Sequence, residues 1–412
     1  MKDYKYKYAI KLRGYGSYRV KRLIKTFGGS ARFVYNRLVY TNKRLYELRK
    51  VGIYMKPVAD EIAMLEKWLT QTGMVNSAPF LKEVDSCLIA NAKQNYNKAW
   101  NSFHNGNGRV PTFHKKTNCY KYQTNPHYEK GATELNDCTG FHFVDKNHIV
   151  LPKIGKVRVK GSQKILDALF SRDAETRFGT VTVTLDETDK IWISVQLASD
   201  EPFVAPYPKT GTLNAFDMNL SNFLTDYYGN VVDNPHYLKK SEEKLKRLQR
   251  KLSLKAERAK RDGRDLQSCK NYQALRREVA ALHKHVANQR KDFQHTLASK
   301  MLKNHDIVFA EDLKVKNLMA NHSLAKAIAD VSWSGFLTIM EQKAELRGKT
   351  FMKVPAAYTT QTCSDCGYVM GGEEKILLGT DDWTCPSCGA KHNRDHNAAI
   401  NIMNKGKAML PS

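Results

Sequence analysis

Two Cys-x-x-Cys pairs, Cys363/Cys366 and Cys385/Cys388, stand 18 residues apart near the C-terminal end of the 412-residue sequence. Each pair presents two thiolates from one tight turn, and two such turns form the tetrahedral sulfur cage that Zn²⁺ takes. Gly367 and Gly389 directly follow the second cysteine of each pair, where a knuckle turn needs backbone freedom. Four free thiols or a redox pair would also fit a lone Cys-x-x-Cys, but the doubled knuckle points to zinc. With every position filled by sulfur, one zinc ion is expected in a structural role. The remaining cysteines, Cys87, Cys119, Cys138 and Cys269, are scattered. That usage fits a reducing cytoplasm, not a disulfide scaffold. Cys119 and Cys138 with His127 and His142 lack knuckle spacing and are not expected to form a second metal site.

The chain carries a formal net charge of +26. The excess is concentrated in residues 1–50 and 239–300, and the rest of the chain is nearly neutral. Such segregation is the footprint of a polyanionic partner, with nucleic acid the default. Hydrophobic residues make up 42%, enough to build cores, so a disordered basic tail is excluded. No run of 18 apolar residues occurs, and the start of the sequence, Met1-Lys2-Asp3-Tyr4-Lys5, has no apolar stretch of the kind a secretory signal needs. No membrane partner is expected. The chain is expected to be cytoplasmic. Its oligomeric state is not determined by the sequence.

Tyr4, Tyr6, Tyr8, Ile10 and Leu12 alternate with Lys5, Lys7, Lys11 and Arg13, a strand with one apolar and one basic face. Residues 15–110 turn to helical periodicity, with Ile62, Leu65 and Leu69 on one stripe and Leu81, Val84, Leu88 and Ala92 on another. Tyr54, Trp100 and Phe103 are expected in the core more than stacked on bases. Strands return with Val157 and Val159, then with Val181, Val183 and Leu185 facing Ile191, Ile193 and Val195. A helical block interrupting a β unit is the simplest account. Pro202, Pro206, Pro208 and Gly211 mark a boundary. Beyond it come three strands (Thr212–Asp217, Asn222–Tyr227, one near Val231), long helices to residue 300, a strand at Ile307–Ala310, a helix over 323–347, a strand over 350–354 and a last helix from Asn393. That is the order of an RNase H-like α/β domain.

In such a sheet three acids converge: Asp217 and Glu311, each closing an apolar strand, and Asp395 at the start of the last helix. Three carboxylates at one sheet edge can hold two Mg²⁺ ions about 4 Å apart and support in-line phosphodiester hydrolysis. Any one of them alone reads more simply as a strand-end acid or helix cap.

The segments Thr359-Thr360-Gln361-Thr362-Cys363-Ser364-Asp365-Cys366-Gly367, Cys385-Pro386-Ser387-Cys388-Gly389 and His392-Asn393-Arg394-Asp395-His396-Asn397-Ala398-Ala399-Ile400-Asn401-Ile402 resemble the C-terminal signature of the TnpB family. These are transposon-encoded RNA-guided nucleases related to compact type V CRISPR effectors. Gly29-Ser30-Ala31-Arg32-Phe33-Val34-Tyr35-Asn36, Arg290-Lys291-Asp292-Phe293-Gln294-His295 and Ser332-Trp333-Ser334-Gly335-Phe336 agree with it. The resemblance implies an α+β multidomain fold: a wedge-type β-barrel in two parts (1–14 and 111–205), a helical recognition insertion (15–110), then a RuvC-like, RNase H-like nuclease domain (206–412) with an inserted zinc ribbon (358–392). It implies RNA-guided, Mg²⁺-dependent cleavage of double-stranded DNA beside a short flanking motif, with Asp217, Glu311 and Asp395 catalytic and the four cysteines on zinc. A prokaryotic, nucleoid-associated protein is likewise what the resemblance implies. The alternatives are a guide-RNA-dependent DNA-binding repressor without cleavage, and a transposase-type nuclease acting without RNA. The sequence departs from the family at the first acid. Where the motif reads Gly-x-Asp-x-Gly, this chain has Ala215-Phe216-Asp217-Met218-Asn219. If the first glycine is needed for a positive φ, alanine distorts the site; if it only makes room, alanine serves.

Nucleic-acid contacts are expected from Lys5, Lys7, Lys11 and Arg13 on the strand, from Arg32, Tyr35 and Asn36 in the first helical block, and from Arg247, Arg250, Lys251 and Arg290 in the basic helices. The plain alternatives are lysines guarding an edge strand and a solvated helical hairpin.

Overall fold

The computed structural model describes residues 4–51, 55–130, 135–172, 175–313, 322–376 and 380–410. Tyr54 lies outside them. The chain divides into two units, Met1–Phe203 and Val204–Ser412, with the division inside the proline-rich boundary segment.

The first unit opens with β1 (Tyr6–Tyr15), whose alternation is realised: Ile10 and Leu12 are buried while Lys7 and Lys11 are exposed. Four helices follow, α1 (Tyr18–Val51), α2 (Lys56–Trp68), α3 (Gln71–Ser77) and α4 (Ser86–His104). Next come the short strands β2 (Tyr120–Thr124), β3 (His127–Tyr128), β4 (Cys138–Thr139), β5 (His142–Asp145) and β6 (His148–Leu151). The unit closes with β7 (Gly155–Lys160), α5 (Gln163–Ser171), β8 (Thr176–Leu185) and β9 (Ile191–Ser199). Seven strands make one antiparallel sheet in the order β2-β8-β9-β1-β7-β6-β5. Its inner face (Leu12, Val159, Val183, Ile193) shares one core with α1 and α4, through Ile24, Phe27 and Leu88. Phe27 meets Tyr122 edge-on at 5.3 Å. Trp100 is half-buried against this core, with Phe103 beside it at 5.8 Å.

The second unit is built on a five-stranded sheet of β10 (Leu213–Asp217), β11 (Asn222–Asp226), β12 (Val231–Asp233), β13 (Ile307–Glu311) and β14 (Thr350–Val354), ordered β12-β11-β10-β13-β14. The first three are antiparallel, and β10, β13 and β14 are parallel. Between β12 and β13 run α6 (Tyr237–Arg261) and α7 (Lys270–Asn304); between β13 and β14, α8 (His322–Val331) and α9 (Trp333–Leu346). Past β14 lie β15 (Asp382–Thr384), β16 (Lys391–Asn393) and α10 (Arg394–Ala408). Both sheet faces are covered, so the central strands read as continuous apolar runs. Phe216, Val308 and Ala310 pack on α7 and α9, while Ala215, Phe309 and Val354 pack on Ile402 and Met403 of α10. Gly406 lets α10 approach: a Cβ there would sit 2.4 Å from the Phe309 ring.

The expected continuous helix over 323–347 is two helices. Ser332 takes a left-handed conformation (φ 55) between α8 and α9. Gln294 of α7, itself buried, stabilises the break by donating from Nε2 to the carbonyls of Val331 and Ser332.

Candidate functional site

β10 and β13 are parallel neighbours with Phe216 opposite Ala310, so Asp217 and Glu311 leave the sheet at the same edge. Asp395 arrives there on the first turn of α10, whose N-cap Asn393 accepts from the His396 N–H. Asp217 and Glu311 are buried, at 7% and 8% exposed. Burial pushes the Asp217 carboxyl well above the usual carboxylate range, and the charges of Glu311 and Asp395 push the same way, against Arg394. Glu311 is likewise raised by burial, opposed by a hydrogen bond from Thr359 and by the charge of Lys405. Carboxylates held at this cost to their charged forms are candidates for a functional site. Their hard oxygen donors suit Mg²⁺.

The departures from Gly-x-Asp-x-Gly are absorbed. Neither Ala215 nor Asn219 takes a positive φ. Ala215 is a fully buried strand residue, so the position needs a small side chain, not glycine's conformational freedom.

Four supports of the site escaped sequence reasoning. Asn219 donates to Asp395 Oδ2 at 2.8 Å. The Thr359 hydroxyl donates to Glu311 Oε1. On α10, Asn397 donates to the Thr362 carbonyl and accepts from the Ser364 N–H. Asn401, also on α10, donates to the carbonyls of Thr359 and Thr362. The signal for the last two was present in Asn397-Ala398-Ala399-Ile400-Asn401, a pair of amides one helical turn apart flanking an apolar triplet. They tie the helix carrying Asp395 to the segment that donates to Glu311 and opens the cysteine cluster.

The four cysteines come together with all their sulfurs within 4.8 Å, and among the described residues they form the only such metal-ligand group. The three carboxylates converge more loosely. Cys363 and Cys388 sulfurs are 3.8 Å apart, and those of Cys366 and Cys385 3.7 Å. Zinc–sulfur bonds of about 2.3 Å in a tetrahedron put sulfurs at about that separation, so the cage fits Zn²⁺. Gly367 (φ 77) and Gly389 (φ 75) take the left-handed turn and return N–H bonds to the Cys363 and Cys385 carbonyls. His392 adds a ring nitrogen 3.1 Å from Cys363 Sγ.

The expected nucleic-acid residues divide. Lys5, Lys7 and Lys11 are exposed on β1, and Lys11 and Arg13 lie over the Trp192 ring. Arg13 is half-buried and donates to the Ile191 carbonyl. Arg247, Arg250 and Lys251 are exposed on α6. Arg32 lines a groove of about 640 Å³ with Asn91, Asn95, Lys115, Lys121 and Gln123. Three residues have partners within the protein. Tyr35 is buried, its ring stacked on His114 at 3.9 Å in the lining of the same groove. Asn36 spends its amide on the backbone of His114. Arg290 pairs with Asp330 at 3.0 Å beside the α8–α9 break, a structural tie.

Comparison with known proteins agrees with this architecture. Residues 333–402 match the family described as "Cas12f1-like, TNB domain", and residues 190–322 the family described as "Probable transposase". A protein of Streptomyces pristinaespiralis named "Putative RNA-guided DNA endonuclease" is 28% identical, over 94% of this chain and 86% of its own. The Escherichia coli protein of the same name, InsQ, is 25% identical over 94% of this chain and 89% of its own. In fold, the chain is similar to the protein of a cryo-EM complex of Cas12f1 with guide RNA and target DNA, with TM-score 0.53, 13% identity and coverage of 97% and 99%. The class is that of mixed α/β multidomain proteins with the Cas12f-type fold. Within it, the chain is similar in sequence to proteins named as RNA-guided DNA endonucleases and TnpB-like proteins.

Proposed function

We propose that this chain is an RNA-guided DNA endonuclease whose second unit is a RuvC-like nuclease with an inserted zinc ribbon and whose first unit is a wedge-type β domain with a helical recognition insertion. The observation that carries the reading is the pair of buried acids, Asp217 and Glu311, on adjacent parallel strands, with Asp395 facing them from α10. The strand order β12-β11-β10-β13-β14, a three-stranded meander followed by two parallel strands, is that of RNase H-like sheets. The names of the relatives, over nearly the whole chain, support RNA-guided cleavage of DNA.

Asp217, Glu311 and Asp395 would hold two Mg²⁺ ions, which supply the charge that activates a water and stabilises the departing 3′ oxygen. The chain's own residues set the geometry. Asp217 and Glu311 are fixed by their strands, and Asp395 by Asn219 and Arg394. Burial strips water from the carboxylates, strengthening their attraction for a divalent cation. The cysteine cage would hold one structural zinc and so fix the segment whose Thr359 donates to Glu311. Lysines and arginines on β1 and α6 would hold guide RNA and the guide–target duplex through phosphates. The groove beside Arg32 offers the amide and cationic donors that base edges of a flanking duplex accept. Among the described residues no helix is long and apolar enough to cross a membrane.

The test is to sequence RNA that co-purifies with the full chain and assay plasmid cleavage in Mg²⁺. The wild type should cut a matched target, and Asp217→Ala should bind it without cutting. Binding without cleavage by the wild type makes the protein a repressor. Cleavage with no discrete RNA makes it a transposase-type nuclease.

A further inference from the structure

We propose that Asn219 is a positioning residue of the acidic site, holding the Asp395 carboxylate in the orientation a divalent cation needs. The inference rests on the nuclease reading above and concerns a position where the resembling motif carries glycine. Asn219 is buried, two residues beyond Asp217 in the loop from β10 to β11. Its Oδ1 accepts from the Asn222 N–H at 2.7 Å and from the Ser221 hydroxyl at 3.2 Å. A backbone N–H can only donate, so the oxygen of the amide must face the loop and the NH₂ must face outward. That NH₂ donates to Asp395 Oδ2 at 2.8 Å. The other oxygen, Oδ1, receives Nε and Nη2 of Arg394 at 3.2 and 3.1 Å.

The carboxylate is thus held on both sides, by a neutral amide fixed to the Asp217 loop and by a cation next to it in sequence. The roles differ. Arg394 competes electrostatically with any Mg²⁺ the acids attract, whereas Asn219 orients Asp395 and adds no charge. Without the amide, Asp395 is free to turn fully onto Arg394, which withdraws it from the site. Glycine at 219 supplies no donor. The substitution from the motif therefore gives this chain a direct strut, across 176 positions of sequence, between its first and third acids.

The experiment uses the full chain with its co-purifying nucleic acid and two readouts: Tb³⁺ luminescence displaced by Mg²⁺, and the Mg²⁺ dependence of plasmid cleavage. Asn219→Gly should raise the Mg²⁺ concentration at half-maximal cleavage about 10-fold, with the rate at saturating Mg²⁺ within about 2-fold of wild type and a parallel loss of Tb³⁺ affinity; a bond to a charged group is worth about that factor or more. A merely structural role would lower the maximal rate and the melting temperature together and leave the Mg²⁺ midpoint in place. Ser221→Ala, at an exposed position, removes only an anchor of the Asn219 oxygen and should shift the midpoint the same way by about 2-fold. It keeps the test open if Asn219→Gly fails to fold. An unchanged Mg²⁺ midpoint and unchanged Tb³⁺ affinity in either folded variant overturn the proposal while leaving the nuclease reading intact. If the wild type binds Tb³⁺ and never cuts, the nuclease reading falls, and the Tb³⁺ series alone decides whether Asn219 orients Asp395.

Discussion

Replacing Asp217 by asparagine should make the metal-free protein more stable while abolishing cleavage. Asp217 is 7% exposed and sits among like charges, Glu311 and Asp395, opposed by Arg394 and by the Met218 N–H. Its carboxyl therefore has a higher pKa in the folded chain than in the unfolded one, near 3.9. The sign follows. Below about pH 4 both states are protonated and Asp217 contributes nothing. As pH rises towards the folded value, the unfolded chain ionises first, and stability falls until both states are charged. Asparagine has the same shape and never ionises. Relieving an uncompensated buried charge in this way is worth roughly 1–3 kcal/mol. For a unit the size of Val204–Ser412, that is a rise in melting temperature of about 2–12 °C. The assay is a series of thermal melts between about pH 4 and pH 8, in EDTA and in Mg²⁺. In EDTA the two proteins should melt together at the acid end and diverge as pH rises, with the variant higher. Mg²⁺ should narrow the gap, because the cation stabilises only the site that keeps all three charges. If Asp217→Asn melts at or below wild type in EDTA at neutral pH, the carboxylates are not strained by their placement, and the electrostatic account of the site is wrong.

The other substitutions probe the supports. The purified wild type should carry one zinc per chain by elemental analysis, and Cys363→Ser, at a buried ligand, should lose it more completely than a serine at exposed Cys366. Thr359→Val removes the hydroxyl that Glu311 accepts while keeping the shape; cleavage should fall about 10-fold, and Thr359→Ser should restore it, as read in single-turnover kinetics. The Asp306 carboxyl is held below the usual range by the Lys349 ammonium and by the N–H groups of Thr210 and Gly211. Its contribution is present above the unfolded value near 4 and lost as pH falls through the folded one. Asp306→Asn should therefore lower the urea midpoint at neutral pH, by an amount that shrinks on acidification. Replacing Arg247, Arg250 and Lys251 by alanine together should weaken nucleic-acid binding and flatten its log–log salt slope by about 2–3, slightly under one for each phosphate no longer neutralised.

What the sequence made legible was whatever repeats or contrasts locally. The alternation of Ile10 and Leu12 with Lys7 and Lys11 identified β1 and its exposed basic face. The cysteine spacing brought four sulfurs into one cage. Acids closing apolar runs identified Asp217 and Glu311, because a strand buried on both faces ends abruptly where it reaches water or a site. What it hid depends on partners distant in sequence. Nothing local to Ser332 announces a break, since the donor that satisfies the freed carbonyls is Gln294 on another helix. Tyr35 and Asn36 stand in a recognisable segment, yet their surroundings are set by His114 across a loop, which stacks on the ring and occupies the amide. Arg290 read as one more cation of a basic helix until Asp330 was placed beside it.

The same distinction explains how the acidic site tolerates so much burial. A cation beside each acid would lower its pKa and stabilise the fold, but it would also occupy the charge that Mg²⁺ must find. Among the described residues, the side chains that hydrogen-bond to the acids are, apart from Arg394, neutral donors, Asn219 on Asp395 and Thr359 on Glu311, while Lys405 acts on Glu311 only through its charge. Behind them, Asn397 and Asn401 bond only to backbone groups. Neutral donors fix direction without cancelling negative charge, so three acids against Arg394 and Lys405 still leave a negative excess for divalent cations. The chain's large positive excess lies instead in residues 1–50 and 239–300, outside the segments that carry the three acids. Phosphates can be gripped there without lowering the affinity of the carboxylates for metal. The separation of charge seen along the sequence and the choice of amides and hydroxyls around the acids are therefore one solution to one electrostatic conflict, applied at two distances.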